Sequence, residues 1–347
     1  MKIDNSLIAI ERFIIHYTGN KLRDEGIKFS KNITSTNNKN IEHLLKYFIG
    51  SFKFDELFSF QHILKLQMNE LYSIISNIFD NNSDFIYESE NISKLLYEYS
   101  MHPRIKGGEF YVAYFKDCII NGETVDAVGL FKSENKDTFL KVYPSGDGFE
   151  IESQQGVNIN KLDKGCLIFN TEREKGYLVA VVDNTNKGAE AKYWTEDFLN
   201  VRPRQDEYYN TQNVLTLCKN FVTKELPNEF DVSKADQAEF LNNSVKFFKE
   251  KESFDMEEFA NEVMAQPEII ERFNKYKDNY QQERDIDIAD NFTISDSAVK
   301  KQARAFKRVI NLDKNIQIVI KGSRNQVEQG IDERGRKFYK IFYIEED

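Results

Sequence analysis

Between Gly107 and Asp183 short apolar runs alternate with turn residues, and this rhythm constrains the fold more than any other feature of the chain. Five runs are rich in aromatic and β-branched residues: Glu109–Lys116, Thr124–Lys132, Thr138–Tyr143, Cys166–Asn170 and Tyr177–Asp183. That chemistry suits strands. Asn121-Gly122, Ser145-Gly146-Asp147-Gly148 and Lys175-Gly176 lie between runs and tolerate the left-handed backbone of tight turns. Connections this short exclude parallel crossovers, which need a dozen or more residues. The spacing predicts an antiparallel meander.

Helical periodicity flanks this region. Leu64, Met68, Leu71, Ile74, Ile75 and Ile78 recur at helical spacing, as do Ile92, Leu95, Leu96 and Tyr99. The polar stretch Ser30–Asn40 reads as an exposed loop, and Pro103 sets the end of the helix before it. Beyond Asp206, residues Met256, Phe259, Ala260, Val263 and Met264 follow the helical template, with Asp255 as cap. Pro267 then opens a helix whose stripe is Ile269, Ile270, Phe273, Tyr276 and Tyr280. The acidic stretch Glu283–Asp290 reads as a linker. After it come a helix over Ser297–Ile310 and two strands, Asn315–Lys321 and Lys337–Tyr343. The expected class is α+β: N-terminal helices with an antiparallel β-meander, then a mainly helical domain with a C-terminal β-hairpin. The expected domains are 1–200 (α+β), 206–282 (helical) and 297–347 (basic helix plus hairpin), and 347 residues suffice for them.

The chemistry-bearing motifs are mostly missing. Cys118, Cys166 and Cys218 are odd in number and far apart, which argues against a disulfide framework or zinc knuckle and for a reducing compartment. The start shows no apolar signal segment, and the longest apolar run, Tyr177–Val182, is far shorter than a membrane span. His16, His43, His62 and His102 form no metal-binding pair, and no phosphate loop, dinucleotide fingerprint or nucleophile elbow occurs. No cofactor or metal is expected. Asp126 with Glu134 and Lys136 has the residue types of a metal-dependent nuclease, where carboxylates hold the ion and lysine stabilises developing charge. That chemistry needs Glu and Lys on one strand face, whereas Ser133–Asp137 reads as a solvated polar turn.

Charge is distributed unevenly. The chain carries −10 overall, yet Ser297–Tyr343 holds twelve Lys and Arg against four acids. Everything before Ser297 is therefore acidic, and nucleic-acid contact has to be local. At ~100° per residue, Val299, Ala303, Phe306, Val309 and Ile310 share one side of the expected helix. Lys300, Lys301, Arg304, Lys307 and Arg308 occupy the other, with no acid among residues 298–310. A single-sign face is the electrostatic footprint of phosphate contact. Arg324, Arg334, Arg336 and Lys337 around the hairpin extend the candidate DNA-binding surface. An acidic protein partner would suit the same face.

Several segments resemble one family. They are the run from Leu95 to Glu109 with His102-Pro103-Arg104-Ile105-Lys106-Gly107-Gly108 inside it, Gly129–Glu134, Lys161–Cys166, Tyr193–Leu199, and the end from Leu312 through Ile320-Lys321-Gly322 to Lys340. In that order the chain resembles the bacterial nucleoid-associated proteins (NdpA-type). The resemblance implies a cytoplasmic, nucleoid-located protein that binds double-stranded DNA without catalysis, and carries over no catalytic or metal residue. The acidic balance keeps an alternative in view: an adaptor or regulatory subunit of a DNA-processing or anti-phage defence complex. Oligomeric state stays open, with a homodimer among the options.

Overall fold

In the computed structural model the described residues are 3–345, apart from 5, 82–83, 186–192, 304–305, 307–308, 314 and 320–326. The chain divides into two compact units, Met1–Arg204 and Gln205–Asp347. The class is α+β, and no helix among the described residues is long and apolar enough to cross a membrane.

The first unit is built on strands β1 (Ile3–Asp4), β2 (Ala9–Thr18), β3 (Ile27–Lys28), β4 (Phe58–Phe60), β5 (Gly108–Ile120), β6 (Glu123–Ser133), β7 (Asp137–Ser145), β8 (Gly148–Gly156), β9 (Lys164–Phe169), β10 (Leu178–Asp183) and β11 (Val201–Pro203). Nine of them form one antiparallel sheet in the order β11-β4-β10-β9-β6-β5-β2-β3, with β1 on the end of β5. Two expectations change here. The segment Thr138–Tyr143 is a strand but leaves the meander, pairing among the described residues only with β8 as a separate ribbon, so that β9 lies directly beside β6. The N-terminal region, read as mostly helical, also supplies the ten-residue strand β2 next to β5.

Helices α1 (Asn38–Ile49), α2 (Glu70–Phe79) and α3 (Phe85–Tyr99) cover the sheet. Successive side chains of a strand point to opposite faces. Phe110, Val112 and Tyr114 of β5 therefore enter one core with Leu71, Ile75, Ile92 and Leu96. Tyr111, Ala113 and Phe115 enter another with Tyr47 and Phe48. A strand covered on both faces reads as a continuous apolar run rather than an alternating one, as Phe110–Phe115 does. The Phe48 ring stacks on Phe131 at 4.1 Å. Gly129 makes room for this packing: a Cβ there would lie 2.5–2.6 Å from the rings of Phe131 and Phe115.

The second unit is helical first. Its helices are α4 (Glu207–Asn220), α5 (Leu226–Glu229), α6 (Lys234–Glu250), α7 (Met256–Phe259), α8 (Pro267–Arg284) and α9 (Asp296–Ala303). Asp255 caps α7 by accepting from the Glu258 amide, as the spacing predicts. Ser233 and Asp236 form a capping box on α6. Phe221, Phe248, Phe254, Phe259 and Phe273 make the centre of one core. The acidic stretch expected as a linker packs into that core instead, because Ile288 is buried and its amide donates to the Gln281 side chain.

Strands β12 (Ser253–Asp255) and β13 (Asn291–Thr293) pair, followed at the end by β14 (Val309–Leu312), β15 (Ile316–Val319), β16 (Val327–Ile331) and β17 (Lys337–Ile341). The helix expected over Ser297–Ile310 is shorter, since α9 ends at Ala303 and Val309-Ile310 belongs to β14. These β-branched residues fit a strand better than a helix, and Asp313 at φ 47° turns the chain back into β15. The module ends in two hairpins, β14–β15 and β16–β17, so the expected strands near 315 and 337 find separate partners.

His16 on β2 is a structural histidine. Its Nδ1 accepts from the Ser30 amide at 3.1 Å, which leaves the proton on Nε2, 2.9 Å from the Ser89 hydroxyl. Burial, with Lys31 nearby and only partly opposed by Glu90, pushes its pKa down to about 4. Between pH 6.5 and 4 the unfolded chain therefore binds a proton that the native state refuses. Stability should fall by up to about 3 kcal/mol as pH is lowered through that window. Urea titrations of the parent and of His16→Gln should diverge there, with the variant's curve flatter between pH 6.5 and 4.5.

Candidate nucleic-acid interface and a buried charged cluster

The basic surface expected from the sequence lies in the second unit. Of the helical residues, Lys300 is exposed on α9, and Lys301 donates to the Tyr208 hydroxyl at 2.8 Å with its ammonium 5.3 Å from that ring. Arg304, Lys307, Arg308 and Arg324 lie outside the described residues. In the final hairpin Arg334, Arg336 and Lys337 are all exposed. Arg336 is held by Asp332 at 2.7 Å, and Lys340 sits 3.4 Å from Glu328. Among the described residues nothing pairs with the side chains of Lys300, Arg334 or Lys337. Leu312, Ile318 and Tyr339, from both hairpins, pack against Ala238 of α6, which gives the module a common support.

Segments singled out by the resemblance meet elsewhere, in the first unit at one end of the sheet. Lys132 on β6 lies directly opposite Lys164 on β9, and both side chains are fully buried. Like charges facing each other across a ladder repel, and each lysine has a carboxylate within reach. The Lys132 ammonium is 3.2 Å from Glu134, and that of Lys164 is 2.7 Å from Asp183. The Tyr193 ring lies 5.8 and 5.0 Å from the two ammonium groups, and its hydroxyl donates to Glu134 at 2.8 Å. Asp163 accepts from the amides of Glu134 and Asn135 at 2.6 and 2.8 Å and so turns the chain leaving β6. Lys106 reaches Asn135, Lys136 pairs with Glu109, and the Trp194 indole donates to the Gly165 carbonyl.

Burial sets the titration of this cluster. It lowers the pKa of Lys132, opposed by Glu134, and raises that of Tyr193 well above its usual value, helped by the same carboxylate. The arrangement balances two fully buried ammonium groups with two carboxylates, Glu134 nearly buried and Asp183 slightly exposed. It can lock β6, β9, β10 and the π-helical turn Tyr193–Phe198 together.

One expectation is corrected here. Within Ser133–Asp137 the residues Asn135 and Lys136 are exposed, but the Glu134 side chain turns inward and is only 4% exposed. Asp126 and Glu134 do not converge. They lie at opposite ends of β6, on the order of 25 Å apart at ~3.4 Å per residue, and Asp126 accepts from Tyr114 and Lys116 instead. Among the described residues no group of three His, Cys, Asp or Glu side chains could hold a metal ion. Sequence reasoning missed the lysine pair, although one signal was present: a lysine embedded in apolar strand sequence, at Leu130-Phe131-Lys132 and again at Lys164-Gly165-Cys166.

Removing one partner of a buried ion pair strands the other charge, at about 3–5 kcal/mol. Glu134→Gln should lower stability by that order in chemical denaturation. Adding Lys132→Met should recover part of the loss, since the stranded charge goes with it.

The family model described as nucleoid-associated protein YejK matches residues 14–333, from within β2 to the turn between β16 and β17. No curated protein matches the chain. The match covers both units and contains the buried cluster and most of the basic module. The chain belongs to the nucleoid-associated protein YejK family.

Proposed function

We propose that the chain binds double-stranded DNA at the nucleoid, largely without sequence preference and without catalysis, through its basic C-terminal module. The observation that carries this reading is the charge partition. Twelve Lys and Arg against four acids fall within Ser297–Tyr343, while the chain as a whole carries −10. Lys300, Lys301, Arg304, Lys307 and Arg308 supply the main contacts, extended by Arg324, Arg334, Arg336 and Lys337. Family membership supports the nucleoid role. Cations on phosphates position a protein without reading bases, so sequence preference is weak.

A second reading, an adaptor for a DNA-processing or defence enzyme, has one observation in its favour. A cavity of about 540 Å³ in the second unit has Phe240, Val263, Met264 and Ile269 in its lining together with Asp231 and Glu239. Its carboxylates repel phosphate and suit a cationic, partly apolar peptide.

With about three to five phosphates neutralised, log K should fall against log salt with a slope of roughly −3 to −5. Changing Lys300, Arg334 and Lys337 to Glu should weaken binding to all duplexes alike and flatten the slope by about 1 for each phosphate left without its cation. These side chains are exposed, so the circular dichroism spectrum should not change. A folded triple variant that binds as tightly as the parent at equal salt removes this surface and leaves the adaptor reading in its place.

A further inference from the structure

Among the described residues the ribbon of β7 and β8 pairs with no other strand, and an isolated two-stranded ribbon is marginal in water. Cross-strand partners share a face. One face carries the pairs Phe139·Gln154, Lys141·Glu152 and Tyr143·Glu150. The other carries Leu140·Ser153, Val142·Ile151 and Pro144·Phe149, with Thr138·Gln155 at the base, and holds no charge at all. This second face is open to solvent: Leu140 is 66%, Val142 58%, Phe149 75% and Ile151 67% exposed. Contiguous apolar surface of that kind marks an interaction site on a folded protein.

We propose that this face is a self-association surface, through which two copies of the chain pair ribbon against ribbon. Charge selects the occupant. The ribbon from Asp137 to Gly156 contains one lysine against four acids, Asp137, Asp147, Glu150 and Glu152, and so repels both DNA phosphate and an anionic membrane. A face without charge finds its complement in another face without charge, and a second copy supplies one at equal concentration. Closed two-fold pairing also needs a patch that fits itself. A two-fold axis running across the ribbon at Val142·Ile151 sets bulky Phe149 over small Ser153 of the other copy, twice. It also points the two ribbon bases away from each other, which suits an acidic chain.

At ~3.4 Å per residue the ribbon is roughly 30 Å long, and two stacked faces bury on the order of 1,000 Å² in total, at the lower limit for a specific interface. The pair is therefore reversible and depends on concentration.

Sedimentation velocity of the full chain from about 1 to about 100 μM, the range where an interface of this size dissociates, tests the proposal. The parent should shift from monomer to dimer across the series. Val142→Lys with Ile151→Lys places four ammonium groups in the interface and should leave monomer throughout, with an unchanged circular dichroism spectrum because both sites are exposed. Gln154→Lys, on the charged face, should dimerise like the parent. A parent that stays monomeric at the highest concentration, a dimer that survives the double-lysine change, or equal loss in Gln154→Lys would each overturn the proposal. None of these outcomes depends on DNA binding.

Discussion

A sheet covered by helices on both faces leaves little room for charge, and the first unit depends on how it handles the charge it has. Lys132 and Lys164 face each other on neighbouring strands in full burial. Each would repel the other were Glu134, Asp183 and the face of Tyr193 not placed against them. The cost of an unmatched buried ammonium is large enough to enforce the match. It fixes the register of β6 against β9, brings β10 alongside and holds the π-helical turn that carries Tyr193 and Trp194. Apolar packing alone would tolerate a shift of these parts far better than a charge network does.

Most of the sheet was legible because its strands carry their own punctuation: β5, β6, β9 and β10 lie close to the runs read between turn residues. The ribbon strand Thr138–Tyr143 looked like its neighbours, since a local pattern of aromatic and β-branched residues cannot say which partner a strand will take. Strand β2 escaped notice because Ile14, Ile15 and Tyr17 lie in a run covered partly on both sides, with no clean alternation. The helix expected to reach Ile310 stopped at Ala303 for a related reason. Val299, Ala303 and Phe306 keep helical spacing, and only the β-branched pair Val309-Ile310 signals the change.

The basic module was legible as charge, since net sign can be counted without knowing the fold. The buried cluster was not, because its meaning lies in pairing. Lys132, Lys164, Asp183 and Tyr193 are separated by tens of residues, and nothing in the linear order says that two lysines will stand opposite each other. Glu134 illustrates the limit. Its neighbours Ser133, Asn135 and Lys136 are polar and suggest a solvated turn, yet Asp163 pulls the backbone inward and the carboxylate ends in the interior.

The three cysteines carry a practical consequence. Cys118, Cys166 and Cys218 are free and buried, and burial raises the thiol pKa to about 12 at Cys118 and Cys218 and higher still at Cys166. Thiolate is the reactive form, so the folded chain is closed to disulfide exchange and to mild oxidants. Two of these thiols sit in the first unit and one in the second. Each unit thus contains a silent chemical clock that starts only when its own core opens, and alkylation kinetics followed by peptide mapping would time the opening of the two units separately in a single sample.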